Sequence, residues 1–107
     1  MRDEFGNIVE KLGEQWAKYE SSSLADGALD ATTKNLIALA VAHAVQCPYS
    51  IELHTRRAVE LSLGLESMTE AVHIGAAIRA GAALVHGVQM LEAYDCARAQ
   101  TTESHEP

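Results

Sequence analysis

The stretch that most constrains the fold is residues 36–57, LIALAVAHAVQCPYSIELHTRR. It opens on an apolar run whose first polar side chain is His43, so a helix built from it has no solvent face and belongs at the centre of the fold. The run breaks at Gln46-Cys47-Pro48. Proline is favoured at the first position of a helix, where its missing N–H has no intrahelical partner anyway, so a second helix is expected from Pro48. Cys47 then stands at a helix N-terminus, whose partial positive charge favours an anion. In such a place the thiol pKa falls and the nucleophilic thiolate is populated. Steps of three and four residues lead from Cys47 to Ser50 and His54. At 100° per residue these three side chains fall within about 60° of one face. A sulfur, a hydroxyl and an imidazole so stacked form a candidate proton-transfer group.

The flanking sequence reads as helix throughout. Residues 3–20 place Phe5, Ile8, Val9, Leu12, Trp16 and Tyr19 on one stripe about 100° wide. Gly6 and Gly13 weaken that helix by roughly 1 kcal/mol each relative to alanine, so packing has to hold it. Ser21-Ser22-Ser23 and Ala25-Asp26-Gly27 read as a linker, and Asp30 as the N-cap of a helix over 31–45. A third helix runs from Pro48 to about Ser62 and stops at Gly64. Ser67-Met68-Thr69-Glu70 has the form of a capping box opening the next helix. An uncapped helix of some thirty residues is out of proportion to a small domain, so a break is expected near 79–81 and a last helix to about Ala99. Residues 101–107 read as a disordered polar tail. No strand alternation appears. The expected fold is all-α, a bundle of about five helices in one domain over residues 1–100.

Composition narrows the partners. The chain holds one Trp, three Tyr and one Phe, and alanine dominates, which implies a thin core whose burial is completed by other copies of the chain. A formal net charge of −7 argues against nucleic acid and anionic membrane, both of which demand clustered Lys and Arg. The uncharged run 36–51 is too short and too polar to span a bilayer. Two cysteines without disulfide-rich spacing, and an N-terminus without a targeting pattern, lead us to expect a cytoplasmic protein.

Several residues together carry a resemblance: Gly27-Ala28-Leu29-Asp30, Lys34, residues 36–42, Cys47-Pro48-Tyr49-Ser50-Ile51-Glu52 and His54, then residues 68–73 and 81–90. Over roughly 27–92 the chain resembles the carboxymuconolactone decarboxylase superfamily, in particular its alkyl hydroperoxidase D (AhpD)-like branch. The later run is similar to a peroxidase-like subgroup associated with arsenosugar biosynthesis. The family pattern is Glu, then twelve residues on Cys-x-x-Cys, then His four residues after the second Cys. Carried onto this chain, the first cysteine is Cys47 and the histidine is His54, while Ser50 stands at the second cysteine and Asn35 at the glutamate. The resemblance implies a trimer or hexamer and a thiol-dependent peroxidase in which the second cysteine attacks hydroperoxide and the pair closes to a disulfide, regenerated by a thiol reductant. A serine cannot be oxidised to a sulfenic acid, and Asn35 cannot accept a proton, so impaired activity is expected.

The candidate catalytic residues are therefore Cys47, Ser50 and His54, with Asn35 and Tyr49 in support and no cofactor expected. Other readings stand beside this one. Cys47 is also read as a plain buried cysteine, and Ser50 as a third-position residue satisfying backbone donors. His43, His73 and His86 lie on apolar faces as core histidines. His43, Cys47 and His54 together offer a weaker alternative, a metal, metalloid or electrophile binder without turnover. A non-catalytic assembly protein and a decarboxylase acting on a small lactone are further alternatives. Cys96 is expected to be a free thiol on the last helix.

Overall fold

The computed structural model describes residues 10–105, with the side chains of 102–105 left aside. Four helices follow one another: α1, Glu10–Leu24; α2, Ala31–Ala44; α3, Pro48–Glu60; and α4, Leu65–His105. Among the described residues there is no strand, and the all-α expectation holds. Phe5, Ile8 and Val9, expected on the first helical stripe, lie outside the described residues.

Helix α2 is the central element. It packs most extensively on α4, then on α3, and only lightly on α1. The sequence starts it as expected: Asp30 is the N-cap and its Oδ1 accepts from the Thr33 amide at 2.7 Å. Asp26 adds a second tie, its Oδ1 accepting from the Ala31 amide at 2.6 Å. The C-terminus closes by a Schellman motif. Gln46 N–H donates to His43 O at 3.1 Å and Cys47 N–H donates to Ala42 O at 3.0 Å. Such a closure needs a left-handed residue, here Gln46 with φ 56°. Helix α3 ends the same way, on Ser62 with φ 59°, where Ser62 N–H donates to Val59 O at 3.0 Å and Leu63 N–H donates to Ala58 O at 2.9 Å.

The core is as thin as an alanine-rich chain permits. Among the described residues the buried apolar ones are Leu39, Ala42, Ala58 and Ala71, and the largest side chain buried completely is Leu39. Close backbone approach substitutes for bulk. A Cβ on Gly75 of α4 would lie 2.5 Å from the Ala40 carbonyl oxygen of α2, so only glycine lets these helices cross at this distance.

Three expectations are corrected. Ser21-Ser22-Ser23 is not linker, because α1 continues through it to Leu24. Serine is a mediocre helix former with no breaking effect of its own. The capping box does not open the last segment: α4 begins at Leu65, with Met68 N–H donating to Gly64 O at 3.2 Å, which puts Ser67 inside the helix. There is no break at 79–81. One helix of 41 residues runs through Gly81, since a single glycine costs only about 1 kcal/mol against the good helix formers Arg79, Ala80, Ala82 and Ala83. The same helix runs on through 101–105. The described residues accordingly hold four helices where about five were expected.

The continuous α4 sets the shape. The molecule measures 71 × 41 × 25 Å with a radius of gyration of 21.8 Å, against roughly 13 Å for a globular chain of this length. From Ala76 onward nearly every described residue of α4 is exposed. By length and composition its span Leu65–Thr101 is apolar enough to cross a membrane, a stretch not anticipated from the shorter run 36–51. Arg79 interrupts that span.

Candidate functional site

Cys47 belongs to two helix ends at once. It is the third residue past the end of α2 and the N-cap of α3. Its N–H is held by Ala42 O, and its own carbonyl accepts from Ile51 N–H at 3.0 Å. The thiol therefore sits on a backbone fixed from both sides. Its sulfur lies 3.2 Å from the Ser50 hydroxyl oxygen. As a thiol, Cys47 donates to Ser50; as a thiolate, it accepts from the turned hydroxyl. That second arrangement favours the charged form. It is the main cause holding the Cys47 thiol below its ordinary pKa, followed by the Ser50 amide, with desolvation opposing and the Tyr49 amide adding a smaller downward pull. These two amides face the sulfur at the first turn of α3 without making a full capping hydrogen bond. Cys47 and Ser50 are half-buried and Tyr49 is exposed.

A second pair lies deeper. Asn35 and His54, nineteen residues apart, are both buried, 3% and 8% exposed, and they satisfy each other. Asn35 Nδ2 donates to the His54 backbone carbonyl at 3.0 Å. That carbonyl can only accept, so the amide orientation is settled and Asn35 Oδ1 faces His54 Nδ1 at 3.1 Å. The neutral ring then carries its proton on Nδ1 and keeps Nε2 as the basic nitrogen. The pair fastens α2 to α3 and orients the imidazole at the same time.

His54 and Asn35 help line a cleft of about 360 Å³. Its other walls include Leu53 and Arg57 of α3, Ala31 of α2, and Glu20, Ser21 and Leu24 at the end of α1. Sequence reasoning did not single out Glu20, Ser21 or Arg57. The first two fell at the edge of a segment read as linker. Arg57 had a signal, one turn past His54 on the same helix. Cys47 and Ser50 do not line this cleft. Among the described residues the structure thus makes two pairs, Cys47–Ser50 and Asn35–His54, with no hydrogen bond linking one to the other.

The remaining candidates fall elsewhere. His43 Nδ1 lies 2.8 Å from Leu39 O one turn earlier, a local tie for a half-buried helical histidine. His73 and His86, expected in the core, are instead exposed on α4, as is the thiol Cys96. Among the described residues no three His, Cys, Asp or Glu side chains converge as a metal ion requires. The His43–Cys47–His54 metal alternative is therefore not assembled: His43 is turned to its own helix and His54 to Asn35.

Comparison with known proteins adds to this geometry. The model of the carboxymuconolactone decarboxylase family matches residues 10–93. A protein described as uncharacterized protein 4 in the cox locus of Paracoccus denitrificans is 48% identical over 71 residues, 66% of this chain. That match spans 64% of the relative's own length. The crystal structure of a protein from Methanobacterium thermoautotrophicum superposes with a TM-score of 0.74 at 26% identity, covering 80% of this chain and 97% of that one. A carboxymuconolactone decarboxylase family protein from Legionella pneumophila, solved in its apo form, gives a TM-score of 0.66 at 32% identity, covering 86% and 82%.

Proposed function

The chain belongs to the carboxymuconolactone decarboxylase family, and from that premise we propose that it is a thiol-dependent, peroxidase-like protein of the AhpD-like branch, working in the cytoplasm as a homo-oligomer of three or six copies. The observation that carries the reading is the Cys47 sulfur 3.2 Å from the Ser50 hydroxyl at the first turn of α3. The thiolate attacks one oxygen of a small hydroperoxide. An S–O bond forms, the O–O bond breaks, and the departing alkoxide takes a proton and leaves as the alcohol. An external thiol then condenses with the Cys47 sulfenic acid, releasing water, and a second thiol frees Cys47. His54 supplies and recovers the proton through Nε2, its Nδ1 being engaged by Asn35.

Two replacements hold the rate down. Ser50 offers no second sulfur, so no disulfide closes within the first turn of α3. Asn35 orients His54 but brings no charge to favour the imidazolium. Peroxide consumption driven by a small dithiol is expected to be weak in the protein as it stands and to rise in Ser50→Cys. Ser50→Cys combined with His54→Ala is expected to lose much of that gain, because a positioned proton-transfer group contributes about 10²–10⁴-fold. Robust turnover by the unaltered chain would show that Ser50 and Asn35 are not the defects argued here. Silence even after Ser50→Cys would favour a role for Cys47 in binding a small electrophile or metalloid.

A further inference from the structure

We propose that the distal part of α4, residues 81–98, of one copy lies in the apolar groove between α2 and α4 of a second copy, so that two chains exchange their long helices. The proposal rests on the six-copy form of the homo-oligomeric reading above, in which chains pair about two-fold axes, and assigns that pair interface.

The groove has a volume of about 510 Å³ and its walls include Leu36, Ile37, Ala40, Val41, Ile74 and Ile78. Ile37, Val41, Ile74 and Ile78 are 47–70% exposed in the single chain. The matching surface is on the same chain but out of its reach. Leu84, Val88 and Leu91 recur at helical spacing and are 78%, 53% and 57% exposed. They fall within about 60° of one another and about 150° around the helix from Ala71 and Gly75, the positions that meet α2. A chain could bring this stripe back to its own groove only by breaking α4 near Gly81, and α4 does not break there. A second copy has no such obstacle.

The surface area says how much must be covered. The chain exposes 8711 Å², where a monomeric protein of its 11.5 kDa mass exposes roughly 5,800 Å². The excess is larger than the ~800 Å² that each partner contributes to a standard stable interface. A two-fold exchange uses the complementary surfaces twice, each copy giving one helix and receiving one. A bilayer is the weaker occupant. Arg79 sits within the apolar span, and the uncharged stretch between it and Glu92 is shorter than the ~20 residues a spanning helix needs.

The test uses full-length chains with Cys47→Ala and Cys96→Ser, one carrying Ile37→Cys and the other Val88→Cys, each with a different affinity tag. Both added thiols sit at exposed positions, and circular dichroism on each chain checks that the helices form; Val41→Cys replaces Ile37→Cys if that chain misfolds. After mixing, exchange and mild oxidation, the expected product is a disulfide-linked pair bearing both tags, at least tenfold more abundant than either like-with-like pair. A monomer in sedimentation would overturn the exchange together with the oligomer it rests on. An oligomer that cross-links only Val88→Cys to Val88→Cys, or not at all, would overturn the exchange and leave the oligomer standing. Co-flotation with vesicles of zwitterionic and anionic phospholipid would overturn it in favour of a bilayer.

Discussion

Charge at a single sulfur is the residue-scale matter. Thiolate formation at Cys47 is assisted first by the Ser50 hydroxyl and then by the amides of α3. Its titration midpoint is therefore expected below the ordinary ~8.5 for cysteine. Because the folded-state value is lowered, the favourable contacts of the anion are present at high pH and are lost as pH falls through that midpoint. In a Cys96→Ser background, alkylation rates followed against pH should give that lower midpoint. Ser50→Ala should move it upward while leaving the helix-end amides in place. An unchanged midpoint in Ser50→Ala would assign the whole effect to the backbone. How much of the site was legible follows from the same contacts. Cys47 and Ser50 are one helical turn apart, so their meeting follows from spacing alone. Asn35 and His54 lie on different helices, and no periodicity relates them; the family pattern was needed to put both at one site. The Glu20 and Ser21 wall was invisible because it depends on where the end of α1 falls across the cleft from α3.

Helices are where local propensity and tertiary packing compete. The starts of α2 and α3 were readable because they rest on local chemistry, the Asp30 carboxylate on the Thr33 amide and a proline at the first helical position. The continuity of α4 was not readable, because a glycine among alanines is compatible with both a break and a helix. Two glycines on that helix separate these cases by experiment. Gly75 faces the Ala40 carbonyl with no room for a methyl group, so Gly75→Ala should destabilise the protein by about 1–3 kcal/mol through overpacking. Gly81 has open space around its Cβ position and helical backbone on both sides. Gly81→Ala should therefore stabilise by roughly 0.5–1 kcal/mol and leave helical content unchanged. Denaturant midpoints of the two variants give the comparison. Destabilisation by Gly81→Ala together with a loss of helical content would mean that the chain turns there, and the extended α4 would be lost with it.

At the scale of the molecule, the question is what holds together a chain with so little inside it. Among the described residues the core amounts to a few small side chains around Leu39, while Leu12, Trp16 and Tyr19 of α1 and most apolar residues of α4 face outward. Among the described residues the distal part of α4 is almost wholly exposed, and isolated helices gain little stability from propensity alone. Composition made the thin core legible, since few large side chains were available, but sequence could not say which surfaces stay uncovered. If association supplies the missing burial, folding and assembly are one equilibrium and apparent stability follows mass action. For a two-chain unit, each tenfold rise in protein concentration contributes about 1.4 kcal/mol per mole of dimer. Spread over the unfolding entropy of two chains, that raises Tm by about 3 °C per tenfold. Thermal unfolding followed by circular dichroism between micromolar and hundred-micromolar protein should show this drift. Val88→Glu, which places a charge on an exposed position of the monomer, should lower Tm and weaken the concentration dependence. A Tm that stays constant over that range in both proteins would mean the single chain is stable as it stands, with its apolar α4 surface open to water.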